Sequence, residues 1–300
     1  MRTLDGGRVQ LDEREVGRLV GEQFPEWRDL PITPVDVPGR DNQTFRLGDS
    51  MSVRLPSGAG YAAQVRKEHR WLPYLAPRLP LPVPTPLAIG APAHGYPWEW
   101  SVYGWLPGHP ASRGRIWDGE AFATDVAAFL RALQGIDAAD GPAAGTHSFF
   151  RGGSLAVYDD ETRRAIRILG ARVDGAAALR VWDAALSAPY RSDPVWVHGD
   201  VAANNLLVRD GHLSAVIDFG TSAVGDPACD LVLRWTFLRG RERDRFRREI
   251  DADGGTWARA RGWALWKALI TLAGNGAPPA AEIPPDEVIR AVLDVYSGKE

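Results

Sequence analysis

The chain has 300 residues, of which 45% are apolar and 24% charged, with a net charge of −3 at pH 7. A chain of this length buries enough surface for one large domain or two modest lobes, and its apolar fraction is typical of a globular protein. A nucleic-acid-binding protein usually carries a basic excess, which this composition lacks. The balance therefore argues against a nucleic-acid partner and permits a cationic ligand.

The chain carries one cysteine, Cys229, which excludes an internal disulfide framework. Residues 1–21 are charged and amphipathic and lack the apolar core of a signal peptide. No apolar run reaches the roughly 18 residues that span a bilayer. We therefore expect a cytoplasmic protein without a membrane partner, present as a monomer or a weak dimer.

The first third of the chain is rich in short strands. Gly48 and Asp49 separate two apolar segments and predict a hairpin turn. Proline-rich sequence between 77 and 97 favours extended chain. In chain order, the pattern predicts a helix over 9–24, strands over 44–47 and 51–55, a helix over 61–75, and strands over 85–89 and 98–106.

Helical periodicity dominates after Gly108, and three short apolar segments interrupt it. We therefore predict an α+β fold with a small β-rich lobe, 1–105, and a larger, mainly helical lobe, 106–300. The predicted helices cover 121–133, 159–169, 176–188, 231–238, 241–250, 256–272 and 286–295, and the predicted strands cover 195–197, 206–208 and 215–217.

A polar loop lies between two apolar strand segments in the second half of the chain. The sequence reads VWVHGDVAANNLLV over 195–208, and IDFG follows at 217–220. Two strands linked as a hairpin would present the side chains of Asp200, Asn205 and Asp218 at one end. The pattern therefore predicts a cluster of oxygen-bearing side chains at this end of the strands.

These three side chains fit phosphoryl transfer, a reaction that needs positioning and charge neutralisation more than covalent chemistry. Asp218 would ligate a Mg²⁺ ion that bridges the phosphates, and Asn205 would offer a neutral oxygen to a second Mg²⁺. Asp200 would accept the proton of the attacking hydroxyl or orient that hydroxyl. Ordinary turn residues are the alternative, which the complete set in order between apolar strands disfavours.

The motif His198-Gly199-Asp200, followed after four residues by Asn205 and later by Ile217-Asp218, resembles the signature of the aminoglycoside phosphotransferase family. These enzymes are small-molecule relatives of the protein kinases. The resemblance implies a bilobal protein-kinase-like fold and an enzyme that uses Mg²⁺ and ATP or GTP. Its acceptor would be a hydroxyl of an aminoglycoside antibiotic, and phosphorylation of that hydroxyl would confer resistance. His198 is expected to hold the loop.

The segment GDPACDL, 225–231, resembles a second segment of the same family. By that resemblance, Asp226 and Asp230 buttress the loops and do not touch substrate. The sequence therefore separates two kinds of acidic residue, those expected to do chemistry and those expected to hold the backbone around it.

The resemblance also assigns nucleotide-binding residues in the first lobe. Residues 39–47 resemble the family's short loop before a strand, with Asn42 in the loop, although they also fit a plain hairpin. Arg54 stands where kinases place a lysine, and a guanidinium can hold phosphate oxygens in a bidentate way. A surface arginine is the alternative. Glu68, on the following helix, is expected to pair with Arg54 and orient it.

The sequence WLPG at 105–108 breaks a strand and fits the hinge between the two lobes. By resemblance, backbone groups near Gly104 and Leu106 bond the edge of the nucleotide base. Tyr103 would stand behind the base as a bulky side chain.

The acceptor pocket is expected between the catalytic loop and the helices that follow it. An acidic groove there would attract a polycation. A solvated, salt-bridged helix is the alternative for the acids, and a place in the core is the alternative for the tryptophans. The residues concerned are Trp235, Trp257, Trp263, Trp266, Asp244, Glu249, Asp251 and Asp253.

Other functions remain open on the same scaffold. A kinase of another antibiotic, such as a macrolide or a peptide antibiotic, or of a metabolite alcohol, is the main alternative. A catalytically silent, nucleotide-binding pseudokinase is a second one. The sequence therefore predicts two small-molecule partners, a nucleoside triphosphate and a hydroxyl acceptor, of which the acceptor is the less defined.

Overall fold

The computed structural model describes residues 2–4, 8–35, 39, 41–274 and 281–294. The chain divides into two compact units. The first unit comprises Met1–Pro77, Pro82–Pro107 and Asp218–Gly220, and the second comprises Arg78–Leu81, Gly108–Ile217 and Thr221–Glu300. The stretch Pro82–Pro107 ends two residues after the boundary drawn from the sequence at residue 105, and Asp218–Gly220, from late in the chain, also belong to the first unit.

The first unit is built on an antiparallel sheet with two helices. The bounds in chain order are β1 (Arg2–Leu4), β2 (Arg8–Gln10), α1 (Glu13–Gln23), β3 (Ile32–Pro34), β4 (Asn42–Leu47), β5 (Met51–Pro56), α2 (Ala59–Leu75), β6 (Pro86–Gly90) and β7 (Trp100–Gly104). The spatial order of the strands in the sheet is β3, β4, β5, β7 and β6. Strand β1 pairs with β2 apart from this sheet.

Helix α1 is shorter than the sequence predicts because residues 8–10 form β2. Its start is fixed by a capping box. The Asp12 side chain accepts a hydrogen bond from the Glu15 backbone amide at 2.9 Å, and the Glu15 side chain accepts one from the Asp12 backbone amide at 3.0 Å. The apolar face of α1 packs into the core of the unit, where it belongs to one cluster with Trp100 and apolar residues of β4 and β5.

The second unit is mainly helical, with small antiparallel strand pairs. The bounds are β8 (His109–Pro110), α3 (Gly119–Gln134), α4 (Asp159–Leu169), α5 (Gly175–Ser187), β9 (Val195–Val197), β10 (Leu206–Arg209), β11 (His212–Val216), β12 (Ala223–Gly225), α6 (Leu233–Thr236), α7 (Arg241–Glu249), α8 (Gly254–Leu272) and α9 (Pro285–Asp294). Strands β11, β10 and β8 form one sheet in that order, and β12 pairs with β9.

Helix α8 forms the centre of the second unit and contacts α4, α5 and α9. It is apolar around most of its circumference, which is the pattern of a helix enclosed by others. The described residues contain no helix that is both long and apolar enough to cross a membrane. The β-rich first unit and the mainly helical second unit confirm the predicted α+β class.

The helix predicted over 231–238 is present only in part. Residues Pro227–Val232 form a 3₁₀ helix, and only Leu233–Thr236 form α6. Pro227 occupies the first turn of the 3₁₀ helix, and Asp226 caps it by accepting the Ala228 amide at 3.1 Å. Periodicity reads this segment as helix because 3.0 and 3.6 residues per turn differ little over two turns.

Gly90 is required where β6 crosses the ring of Trp100. A Cβ atom on Gly90 would lie 1.9 Å from that buried ring. We predict that Gly90→Ala lowers the free energy of unfolding by about 1–3 kcal/mol, as overpacking does. Gly60→Ala is the matched control, since no atom lies within 4 Å of its Cβ position in α2. Equal denaturation midpoints for the two variants would contradict this packing.

Candidate active site

Three of the residues singled out by sequence come together in the first unit. Arg54 on β5 donates from Nη2 to Asp218 Oδ1 at 2.6 Å and from Nη1 to Glu68 Oε1 at 3.4 Å. The Arg54 side chain is 14% exposed and that of Glu68 4%. The surface-arginine alternative is therefore wrong, and the predicted pairing of Glu68 with Arg54 is present.

The charge of Arg54 is stabilised by its two acidic partners. Burial works to lower the pKa of the guanidinium, but the negative charges of Asp218 and Glu68 outweigh it and raise the pKa. Arg54 therefore stays charged at any pH at which the protein is folded. A guanidinium carries donors in a planar fork, so it can address two carboxylates where a lysine ammonium acts as a point charge.

Asp218 has a strained backbone. Its φ is 68°, in the left-handed region that non-glycine residues rarely adopt. Such a conformation costs on the order of 1–3 kcal/mol and persists only where the surroundings impose it. Its carboxylate is held by Arg54, so the strain accompanies a fixed side-chain direction.

The second unit brings Asp200 and Asn205 together. The Asn205 amide Nδ2 donates to the Asp200 carbonyl oxygen at 2.9 Å and to Asp200 Oδ2 at 3.1 Å. Asn204 donates to Asn205 Oδ1 at 3.1 Å. Asn205 is buried and Asp200 half-buried, so the loop is fixed by Asn205 while the Asp200 carboxylate remains accessible.

His198 is held by both of its ring nitrogens. Nδ1 accepts a hydrogen bond from the Asp200 amide at 3.2 Å. The ring proton therefore lies on Nε2, which donates a hydrogen bond to the Ile217 carbonyl at 3.0 Å. The Ile217 amide in turn donates to the Asn205 carbonyl at 2.9 Å. The imidazole is fully buried and fixed in one tautomer, which is a structural role and not that of a proton shuttle.

Asp230 holds the backbone at the start of the same loop. Its carboxylate accepts the His198 amide at 2.8 Å and the Gly199 amide at 2.7 Å. Burial raises the pKa of the Asp230 carboxyl, although the hydrogen bonds from the two amides work against the rise. Gly199 has a φ of 85°, and a Cβ there would lie 2.7 Å from the Thr221 carbonyl, so only glycine fits.

Asp226 forms a buried ion pair with Arg259 of α8. Arg259 Nε donates to Asp226 Oδ2 at 2.6 Å and Nη2 donates to Oδ1 at 3.2 Å, with both side chains less than a tenth exposed. Asp226 and Asp230 therefore have the buttressing contacts expected of them, one on α8 and the other on the loop.

The remaining nucleotide-side residues lie on strand ends of the first unit. Asn42 begins β4 and is buried, opposite Pro56. Gly104 ends β7, and its amide donates to the Thr85 carbonyl at 2.9 Å. Leu106 follows in irregular chain and is half-buried. Asn42, Gly104 and Leu106 stay predictions as ligand contacts, and the Gly104 amide is engaged within the protein.

The tryptophans expected near the acceptor lie in the core: Trp235, Trp257, Trp263 and Trp266 are all buried. Two of the acids are engaged within the protein. Asp253 caps α8 by accepting the Thr256 amide at 2.6 Å, and Glu249 pairs with Arg245 at 3.0 Å and Arg131 at 3.1 Å. The salt-bridged alternative therefore describes α7 better than an acidic groove does.

Sequence reasoning missed Glu282, which lies close to Asp200 and Ala203 in the loop over 198–205. It pairs with Lys267 of α8 at 3.5 Å and is buried. Burial raises the pKa of its carboxyl, Lys267 lowers it, and the negative charge of Asp200 adds to the rise. Its short alanine- and proline-rich surroundings carry no motif, so no sequence signal marks it.

Comparisons with known proteins place the chain in a family. A family model described as phosphotransferase enzyme family (APH) matches residues 32–263, more than half of the chain. A curated relative, aminoglycoside 3'-phosphotransferase of Escherichia coli, is 36% identical over 66 residues, 22% of this chain and 24% of the relative. The matched stretch thus spans about a quarter of that relative's length.

Solved structures share the fold at low sequence identity. A variant of aminoglycoside 2'-phosphotransferase-IIIa in complex with GDP has a TM-score of 0.68 at 18% identity, with 96% of this chain and 97% of that one covered. The gentamicin complex of APH(2")-IIa has 0.62 at 16%, covering 97% and 98%. Macrolide 2'-phosphotransferase MphH of Brachybacterium faecium has 0.52 at 21%, covering 96% and 89%.

The Asp230 contacts generate a stability prediction. We expect Asp230→Ala to lower the free energy of unfolding by about 2–4 kcal/mol, because two buried amides lose their acceptor. Asp251→Ala, at an exposed position of the same unit, is the control, and its effect should stay within about 0.5 kcal/mol. Urea denaturation measures both, and an Asp230 effect as small as the control would show that the two amides do not depend on this carboxylate.

Proposed function

Because the chain belongs to the phosphotransferase enzyme family, we propose that it transfers the γ-phosphate of ATP or GTP to a hydroxyl of an aminoglycoside antibiotic. The observation that carries the proposal is the motif geometry: Asp200 is fixed by Asn205 in the second unit, and Asp218 is fixed by Arg54 in the first. The aminoglycoside acceptor is supported by the relatives, whose names include aminoglycoside 3'-phosphotransferase and a gentamicin complex.

Asp200 is the residue that we assign to the attacking hydroxyl. Its carboxylate oxygen Oδ2 accepts a hydrogen bond from Asn205 at 3.1 Å, which leaves its other oxygen for the acceptor. An aspartate in this position orients the hydroxyl and takes its proton as the phosphoryl group transfers. His198 does not compete for this role, since both ring nitrogens are bonded to backbone.

Asp218 and Asn205 are the residues that we assign to Mg²⁺. Carboxylate and amide oxygens are the ligands that this hard cation accepts, so the donor set fits. When bound, Mg²⁺ supplies charge neutralisation for the phosphates.

Arg54 is the cation that we assign to the nucleotide phosphates. Its planar donors suit phosphate oxygens, and its neighbour Glu68 fixes its direction. Asn42, at the start of β4, is assigned to the loop that covers the phosphates. The Gly104 carbonyl and the Leu106 amide are assigned to the edge of the base, since the Gly104 amide is already used by Thr85.

We further propose that the protein works in the cytoplasm as a monomer or weak dimer on small molecules alone. A net charge of −3 does not favour nucleic acid. The described residues contain no membrane-spanning helix.

A macrolide kinase is the second candidate, favoured by the match to the macrolide 2'-phosphotransferase at 21% identity. The ion pairs of Glu249 with Arg131 and Arg245 neutralise part of the acidic groove that would attract a polycation. A pseudokinase is the third possibility, and the presence of Asp200, Asn205 and Asp218 argues against it.

A mass-spectrometric screen tests the proposed function. The protein would be incubated with Mg²⁺ and either ATP or GTP against aminoglycosides, macrolides, peptide antibiotics and metabolite alcohols. We expect one added phosphate on an aminoglycoside. Phosphate on a macrolide alone would replace the acceptor and keep the mechanism, and no product with any acceptor, despite nucleotide binding, would favour the pseudokinase.

Asp200→Asn tests the assignment of the base. We predict that turnover falls by roughly 10²–10⁴-fold, the contribution of general-base catalysis, while nucleotide affinity is retained. Asp210→Asn, at an exposed turn of the same unit, is the matched control and should keep wild-type turnover. Turnover near wild type in Asp200→Asn would show that another group takes the proton.

A further inference from the structure

We propose that Tyr103 is a positioning residue for phosphoryl transfer. Its hydroxyl locks the Glu68 carboxylate, and through it the guanidinium of Arg54, in the orientation that binds nucleotide phosphates. The inference rests on the proposed function and deepens it. The sequence assigns only bulk to Tyr103, whereas the structure gives its hydroxyl a partner.

A continuous chain of polar contacts carries the inference. Tyr103 Oη donates to Glu68 Oε2 at 2.6 Å, and Glu68 Oε1 accepts from Arg54 Nη1 at 3.4 Å. Arg54 Nη2 then reaches Asp218 Oδ1 at 2.6 Å. The four residues come from β7, α2, β5 and the segment Asp218–Gly220, all within the first unit. Tyr103 therefore stands at the far end of a relay whose other end is a proposed metal ligand.

The sheet register places Tyr103 beside Arg54. Tyr103 is opposite Ser52 and Arg54 is opposite Ser101, so Tyr103 and Arg54 are diagonal neighbours on one face of the sheet. The Arg54 guanidinium carbon lies 5.7 Å from the centre of the Tyr103 ring, within range of a cation–π contact. Tyr103 thus contacts Arg54 through its ring and controls Glu68 through its hydroxyl.

Burial makes the hydroxyl essential to Glu68. Glu68 is 4% exposed and Tyr103 2%, so water is a poor substitute for either partner. A buried carboxylate needs hydrogen bonds on both oxygens, and Tyr103 supplies the one on Oε2. Burial raises the pKa of Tyr103, and the negative charge of Glu68 raises it further, so the phenol stays protonated and remains a donor.

Arginine in place of lysine explains why such a lock matters. A planar guanidinium must be oriented, whereas an ammonium is a point charge whose direction matters less. The Glu68 contact to Arg54 is the longer of the two, 3.4 Å against 2.6 Å for Asp218. If Glu68 rotated away, Arg54 would keep Asp218 as its acidic partner, and its fork would turn from the direction that Glu68 sets.

The test compares Tyr103→Phe with wild type, measuring nucleotide KM, acceptor KM and kcat. We expect kcat/KM for nucleotide to fall by roughly 10-fold or more, the loss of a hydrogen bond to a charged group, while the acceptor KM is unchanged. Tyr96→Phe is the matched control, because the Tyr96 hydroxyl is equally buried in the same unit and donates to the Pro56 carbonyl at 2.8 Å. It should leave all three constants unchanged.

A double-mutant cycle separates positioning from a general loss of stability. Nucleotide affinity would be measured by calorimetry with a non-hydrolysable triphosphate and Mg²⁺ in Tyr103→Phe, Arg54→Met and the double variant. If Tyr103 acts through Arg54, its substitution has no further effect once Arg54 is gone. Additive effects would overturn the inference.

The outcomes distinguish this inference from the function beneath it. A wild type that turns over nucleotide, with Tyr103→Phe indistinguishable from Tyr96→Phe, overturns the role of Tyr103 and leaves the kinase standing. A wild type that neither binds nor turns over nucleotide removes the proposed function and this inference together. A selective loss in Tyr103→Phe that disappears in the Arg54→Met background supports both.

Discussion

The arrangement of the polar side chains in the first unit depends on the two ion pairs made by the guanidinium of Arg54. The guanidinium joins β5 to α2 through Glu68 and to the Asp218 segment through a 2.6 Å contact. A cation shared by two carboxylates holds them close together against their mutual repulsion. The buried carboxylate of Glu68 is stabilised by this charge and by the Tyr103 hydroxyl, and the same guanidinium holds the carboxylate of Asp218, whose backbone is left-handed.

The second unit depends instead on backbone groups held by buried side chains. The Asp230 carboxylate accepts hydrogen bonds from the backbone amides of His198 and Gly199. The His198 ring accepts a hydrogen bond from the Asp200 amide and donates one to the Ile217 carbonyl. The residues that hold the loop are buried more deeply than Asp200, the residue that it presents. Such an arrangement fixes the Asp200 carboxylate, which we propose orients the acceptor hydroxyl, while only one of its oxygens is engaged by Asn205.

Sequence reasoning identified pairs of residues that the structure brings into contact where the two members lie close in the chain or on successive elements. Asp200 and Asn205 lie five residues apart, and Arg54 and Glu68 lie on a strand and the helix that follows it, so short-range patterns found both pairs. It failed where the partner is distant or carries no motif: Tyr103 on Glu68, and Glu282 beside the catalytic loop. It also overestimated the length of the α-helix within 231–238, because amphipathic periodicity does not separate a 3₁₀ helix from an α-helix over so short a run.

The most direct test of the account is the Mg²⁺ dependence of nucleotide affinity in wild type and in Asp218→Ala, measured by calorimetric titration with and without the metal. The account predicts that Mg²⁺ strengthens binding to wild type and has little effect on the variant, because Asp218 supplies the carboxylate that holds the ion. An Asp218→Ala protein that retains the full Mg²⁺ enhancement would contradict the assignment of Asp218 and with it the role given to its partner Arg54.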